Sequence, residues 1–365
     1  MTDINPNSLG QCSLSQHIPD QHSLDQHAFE QLPLQEQHHY MHLLALKALQ
    51  YWELSHSQCE LIKYRENGVF KITNAEGEQF ALRLHRPGYH SDLELRSELL
   101  WIQALKDYGF EVPEVIPSAT GELLIQVQLD SQHQCYQADL FAWVDGEQLG
   151  SLEDGLGECS DAIKANFYKI GEMAAQLHNH ATQWQPKQGF QRHAWDLEGL
   201  IGESPFWGRF WELDCLTGDQ IELLQQARIK ARSDLITYGI TTDNYSLIHA
   251  DFVPENLLVD GEIVRLIDFD DAGFGWHLFE LATALYFIQD ETDYELAKSS
   301  LIEGYRSQRA LLDTDLGYLD LFLAMRAVTY LGWVQSRQET KTAKELTPYL
   351  VDLGCRTVAR YLADT

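Results

Sequence analysis

Basic side chains are scarce in this sequence: 26 Lys and Arg stand against 55 Asp and Glu, a formal net charge of −29 at pH 7. That deficit argues against a nucleic-acid backbone or an anionic membrane surface as a partner, and it is compatible with a cationic one. Long apolar runs are missing too; none approaches the roughly 18 residues of a membrane span. The first thirty residues hold no Lys or Arg and no apolar core, so no secretory leader is expected. The six cysteines (Cys12, Cys59, Cys135, Cys159, Cys215 and Cys355) form no C-x-x-C pair. They read as reduced thiols in a cytoplasmic protein. A Walker A loop is absent, and Gly155-Leu156-Gly157 has neither the preceding strand nor the third glycine of a dinucleotide fingerprint.

What is present suits a globular protein with two lobes. The chain has 365 residues, too many for one ordinary core, with 44% hydrophobic residues and 9 Trp, 16 Tyr and 15 Phe. Residues 1–35 are Gln- and His-rich and partly repetitive: Ser13-Leu14-Ser15-Gln16-His17 is echoed by Ser23-Leu24-Asp25-Gln26-His27. Such a segment has too little apolar surface to offset its ordering entropy and reads as a low-complexity extension. Its histidines lack the fixed spacing of a metal site.

Residues 36–145 read as an N-terminal lobe. A helix over 36–54 precedes strands over Cys59–Tyr64, Val69–Thr73 and Gln79–Leu84, joined by turns at Glu66-Asn67-Gly68 and Ala75-Glu76-Gly77. A helix over Ser91–Tyr108 follows, then strands over Gly121–Leu129 and Cys135–Trp143. Residues 146–365 read as a larger, mainly helical lobe, with helices near Ser160–Ala181, Trp276–Gln289, Tyr294–Arg309, Gly317–Arg337 and Lys344–Ala363. Between Trp184 and Asp214, aromatic rings alternate with carboxylates, a composition suited to an ammonium group through cation–π and ion-pair contacts or to packing the segment itself.

The informative stretch runs from Leu247 to Gly275. It carries His249-Ala250-Asp251, then Asn256, then Asp268. The apolar runs Asn256–Val259 and Ile263–Ile267 flank Asp260-Gly261, a two-residue hairpin signal. The hairpin predicts that Asn256 and Asp268 fold back beside each other, with Asp251 on the loop before them. A carboxylate base and two hard oxygen ligands would then meet, as metal-assisted phosphoryl transfer requires.

H-x-D-x-x-x-x-N followed by a strand and Ile267-Asp268-Phe269-Asp270 resembles the catalytic core of the protein-kinase-like superfamily. It is most similar to the aminoglycoside phosphotransferase branch, with its choline, homoserine and hydroxylysine kinase-like members. The resemblance implies a two-lobed α+β fold and transfer of a γ-phosphoryl group from ATP, or GTP, with Mg2+, to a small-molecule hydroxyl acceptor. It implies that Asp251 accepts the acceptor's proton, that His249 braces the loop, and that Asn256 and Asp268 hold the metal. It places Asn67 and Gly68 over the phosphates and the hinge between lobes at Phe141–Gly146. Arg83 stands where the family has a phosphate-binding lysine, and Glu98 is its implied partner; arginine keeps the charge and adds bidentate geometry. Two alternatives stay open: a same-fold kinase for another acceptor, a protein Ser/Thr included, and a nucleotide-binding pseudokinase acting as a scaffold.

Overall fold

The computed structural model describes residues 32–64, 67–129, 134–150, 159–338 and 340–363. Most of the Gln/His-rich extension and the Gly155-Leu156-Gly157 run lie outside them. No helix among the described residues is long and apolar enough to cross a membrane. Contacts group the chain into two compact units, 1–90 with 117–139 and 91–116 with 140–365.

The first unit is a helix on an antiparallel sheet. Helix α1 (Leu34–Ala48) buries Met41, Leu44, Ala45 and Ala48, the i, i+3, i+4, i+7 stripe of an amphipathic helix. Strands β1 (Gln58–Tyr64), β2 (Gly68–Thr73) and β3 (Gln79–Leu84) lie side by side, and β5 (Tyr136–Ala142) separates β3 from β4 (Ile125–Val127). Alternation along β2 turns Phe70 and Ile72 inward, and β3 buries Leu82 and Leu84. The predicted strand over Gly121–Leu129 shrinks to three residues, because Gly121 instead closes a turn at φ +86° with its N–H on the Ser118 carbonyl.

The second unit is mainly helical. Helix α2 (Asp92–Tyr108) starts at a reciprocal Ser91/Glu94 capping box and stops at Gly109, φ +98°. Helix α3 (Ser160–Gln183) packs against α7 (Tyr294–Gln308), and glycine permits their approach. A Cβ on Gly171 would lie 2.0 Å from the Leu301 carbonyl oxygen, and one on Gly304 would lie 1.9 Å from that of Tyr168. Helices α4 (Leu197–Ile201), α5 (Gly218–Tyr238), α6 (His277–Tyr286), α8 (Asp313–Leu316), α9 (Leu319–Gln335) and α10 (Lys341–Ala363) complete the helical part.

Two small sheets sit among these helices. One has the order β10-β9-β6, from Ile263–Leu266, Leu257–Asp260 and Glu147–Gln148. The other has the order β7-β11-β8, from Ala194–Trp195, Gly273–Trp276 and Tyr245–Ile248. The β9–β10 hairpin forms as the sequence predicts, with one correction: Asp260 pairs with Ile263, so its loop is Gly261-Glu262 with Gly261 at φ +60°. Antiparallel sheet in the N-terminal part and helices in the C-terminal part are the α+β architecture expected.

Candidate active site

Strand β8 ends at Ile248 and delivers His249, Ala250 and Asp251 into a loop whose shape a buried carboxylate dictates. Glu280 on α6 accepts the N–H groups of His249 (2.7 Å) and Ala250 (2.6 Å), which leaves Ala250 at φ +63°. Burial raises the Glu280 pKa, against the pull of His249 and of the two amides. His249 is fully buried, and its bonds fix its tautomer. Nδ1 accepts the Asp251 N–H (3.2 Å), so Nε2 carries the proton and donates to the Ile267 carbonyl (3.0 Å). Burial holds this ring neutral, outweighing the negative charges of Glu280 and Asp268. His249 thus ties the loop of Asp251 to the residue before Asp268.

Both oxygens of Asp251 are held. Asn256 Nδ2 donates to Oδ2 (2.7 Å) and to the Asp251 carbonyl (3.0 Å). Arg326 Nη2 donates to Oδ1 (2.8 Å) and to Tyr330 Oη (2.5 Å), while its Nη1 donates to the Ala250 carbonyl (2.9 Å). Arg326 comes from the middle of α9, has no exposed surface, and lies over the Tyr330 ring at 4.1 Å and the Trp207 ring at 5.2 Å. Asp251 keeps 22% of its side chain exposed, a clamped carboxylate with one open face.

The hairpin sets the partner residues. The Ile267 N–H donates to the Asn256 carbonyl (3.0 Å), so the β10 end lies against Asn256 and Asp268 follows immediately. Because Asn256 spends its amide nitrogen on Asp251, its Oδ1 is the end left to face a cation. Asp268 is exposed and stands at φ +65°, a left-handed conformation uncommon outside glycine and frequent at functional sites. An amide oxygen and a carboxylate are the hard donors that Mg2+ prefers, so the residues fit that ion. Two more carboxylates follow at Asp270 and Asp271; burial first, then the charges of Asp251 and Asp270, push the Asp271 pKa well above its ordinary value.

Each of the other residues singled out in the sequence meets a partner within its own unit. Arg83 on β3 is buried and binds Asp139 bidentately, Nε to Oδ1 at 2.9 Å and Nη2 to Oδ2 at 2.8 Å. Burial alone would raise the Asp139 pKa, but the charges of Arg83 and His85 prevail and hold it well below the usual carboxylate range. Asn67 Oδ1 accepts the Arg86 N–H (3.2 Å), and Gly68 opens β2 opposite Leu84. Glu98 is buried on α2, where Arg192 reaches it at 3.4 Å.

In the aromatic segment, Trp195, Trp207 and Phe210 are buried and pack the unit. Its carboxylates are mostly engaged: Asp196 caps α4, Glu198 meets Arg232 (3.2 Å), Glu203 meets Arg228 (2.7 Å) and Glu212 meets Arg209 (3.1 Å). A cavity of about 500 Å³ is lined by His193, Asp196, Glu198, Glu203 and Phe206, with His193 stacked on Phe206 at 3.9 Å.

Arg326 and Glu280 escaped the sequence reading, although a signal exists. Each is a charge flanked on both sides by apolar residues within a helix, Leu-Ala-Met-Arg326-Ala-Val and Leu-Phe-Glu280-Leu-Ala, and a charge there must find a buried partner.

Known proteins resemble this chain along most of its length. An amicoumacin kinase of Bacillus subtilis (strain 168) is 22% identical over 317 residues, covering 84% of this chain and 88% of its own. A solved microcompartment-associated aminopropanol kinase is 30% identical with a TM-score of 0.77, over 88% of this chain and 97% of that one. An amicoumacin kinase solved with AMP-PNP, Ca2+ and Ami has a TM-score of 0.69 at 18% identity, over 86% of this chain and 92% of that one. Residues 58–312 match the phosphotransferase enzyme family across more than two thirds of the chain, and the protein belongs to that family.

Proposed function

We propose that this protein transfers the γ-phosphoryl group of ATP, with a divalent metal, to a hydroxyl of a small amine-bearing molecule such as an amino alcohol, a hydroxylated amino acid or an amino sugar. The observation that carries this reading is the Asp251 carboxylate, oriented through both oxygens with Asn256 and the strained Asp268 close by. Asp251 would receive the acceptor's hydroxyl proton as the new O–P bond forms and the bond to the departing nucleoside diphosphate breaks. Its bonds to Asn256 and Arg326 fix its orientation, which suits a reaction that rests on positioning and charge neutralisation. Asn256 Oδ1 and Asp268 would hold the metal, which neutralises charge on the transferring phosphates. By resemblance, Arg83, Asn67, Gly68 and Glu98 would serve the nucleotide.

The amine is supported from two sides. Asp251, Asp268 and Asp270 all act on Asp271 from one run of chain, and a cation is the ligand such a field favours. Aminopropanol, the substrate named for a relative, is itself an amino alcohol. Screening ADP release over amine and hydroxy compounds, with Mg2+-free controls, tests the chemistry. Pairing each active amine with its deaminated analogue tests the acceptor class. Equal kcat/KM within pairs removes the amine from the reading and leaves the kinase standing.

A further inference from the structure

Four consecutive carbonyl groups after Asp268 are taken by three side chains from one short run of sequence. Arg192 Nη2 donates to the carbonyls of Phe269 (3.5 Å) and Asp270 (2.5 Å), and Nε donates to that of Ala272 (2.5 Å). His193 Nε2 (3.0 Å) and Trp195 Nε1 (2.9 Å) both donate to the carbonyl of Asp271. Parallel pairing of β7 with β11 extends the contact, Phe274 opposite Ala194 and Gly275 opposite Trp195. The remaining Arg192 nitrogen, Nη1, donates to the Glu94 carbonyl (3.2 Å) and Glu98 Oε2 (3.4 Å) on α2. The guanidinium is almost wholly buried, 1% exposed, so it acts from a dry site.

We infer that Arg192 is a positioning residue for Asp268, holding the backbone that follows it so that its carboxylate faces the metal; this rests on the phosphotransfer reading above. A non-glycine residue at φ +65° lies above its relaxed conformation and persists only where its surroundings over-determine it. The carbonyl clamp supplies that determination. It fixes the peptide planes from Phe269 to Ala272, leaving Asp268 no neighbour to share a relaxation. A planar fork of five donors can reach three carbonyls and an α2 anchor at once, and an ammonium group cannot. The clamp also links α2, through Glu94 and Glu98, to the metal-binding loop.

The test uses the full chain and three variants: Arg192→Met, Arg192→Lys and Asp268→Ala. Three quantities are read: far-UV circular dichroism, the thermal shift produced by AMP-PNP with and without Mg2+, and the Mg2+ concentration giving half-maximal ADP release. Residues that orient a metal ligand are worth about 10–100-fold in metal affinity. Arg192→Met should therefore raise the half-maximal Mg2+ concentration by about tenfold or more and shrink the Mg2+-dependent part of the shift. Metal-free AMP-PNP binding should stay at the parent level. Arg192→Lys, which keeps the charge and serves if the methionine variant fails to fold, should fall on the same side. Folded Arg192 variants with the parent's Mg2+ dependence overturn the inference, provided Asp268→Ala has lost the Mg2+-dependent shift. If Asp268→Ala retains that shift, the metal assignment itself is what fails.

Discussion

Between residues 184 and 214 each engaged carboxylate has its own cation or cap: Asp196 on the α4 amides, Glu198 with Arg232, Glu203 with Arg228, Glu212 with Arg209. Between residues 245 and 276 the arrangement is the reverse. Asp251, Asp268, Asp270 and Asp271 crowd together, and Arg326 acts on both Asp251 and Asp271. Paired surface carboxylates contribute little and are screened by salt. Carboxylates crowded around one buried arginine retain a negative field, which a metal or an ammonium group can then satisfy. Residue type alone does not separate the two regions; the distribution of counter-charge does.

The sharpest break in this contrast is Asp251→Asn. Turnover should fall by about 10²–10⁴, the usual worth of a general base, while the thermal shift from Mg2+-ATP stays near the parent's. A variant as fast as the parent would refute the role of Asp251.

Next comes Arg326→Met, which strands Asp251 beside its acidic neighbours. Losing one partner of a buried pair costs about 3–5 kcal/mol, and the partial exposure of Asp251 reduces this to about 2–3 kcal/mol. Urea unfolding measures it; an unchanged midpoint would mean that the pair is incidental.

A third measurement concerns the stacked rings of His178 and His277, 4.0 Å apart, beside Glu280. Burial keeps both rings neutral, well below their ordinary pKa of 6.5. Below pH 6.5 the unfolded chain takes up protons there and the folded chain does not, so stability present above that pH declines as pH falls. The decline is up to about 1.4 kcal/mol per pH unit per group. Glu280 has the opposite sign, because its raised pKa favours the folded state at low pH and that contribution is lost on going up from 4.5. Comparing urea midpoints at pH 7 and pH 5 for the parent and His277→Phe isolates the histidine contribution. Equal losses in both proteins would show that His277 contributes nothing to acid sensitivity.

The smallest effect belongs to the aromatic segment. Glu203→Gln removes a fully exposed, arginine-paired carboxylate, so kcat/KM should stay within about twofold and Tm unchanged. A larger loss of activity with amine acceptors would move the ammonium site into the 500 Å³ cavity that Glu203 lines.

Much of the candidate site's geometry was legible because it is local. Asn256 and Asp268 are joined by a hairpin whose turn glycine and flanking apolar runs specify pairing over a dozen positions. The long helix Gly218–Tyr238 went unread because its apolar residues do not form a clean stripe; Leu224, Ala227, Ala231 and Leu235 face inward, while Ile229 and Ile236 are exposed. Strands Ala194–Trp195 and Gly273–Trp276 are too short to carry a period, and their pairing exists only once the helices bring them together.

The sequence by itself therefore determined the reaction class, through the identities and spacing of His249, Asp251, Asn256 and Asp268, and it determined the hairpin that joins them. The tertiary structure alone decided what holds those residues in place. Arg326 lies 75 positions from Asp251, Glu280 lies 30 from Ala250, and Arg192 lies 78 from Asp270. No periodicity links such positions. A buried charge must find a partner, and which partner it finds depends on how the helices pack around the loop.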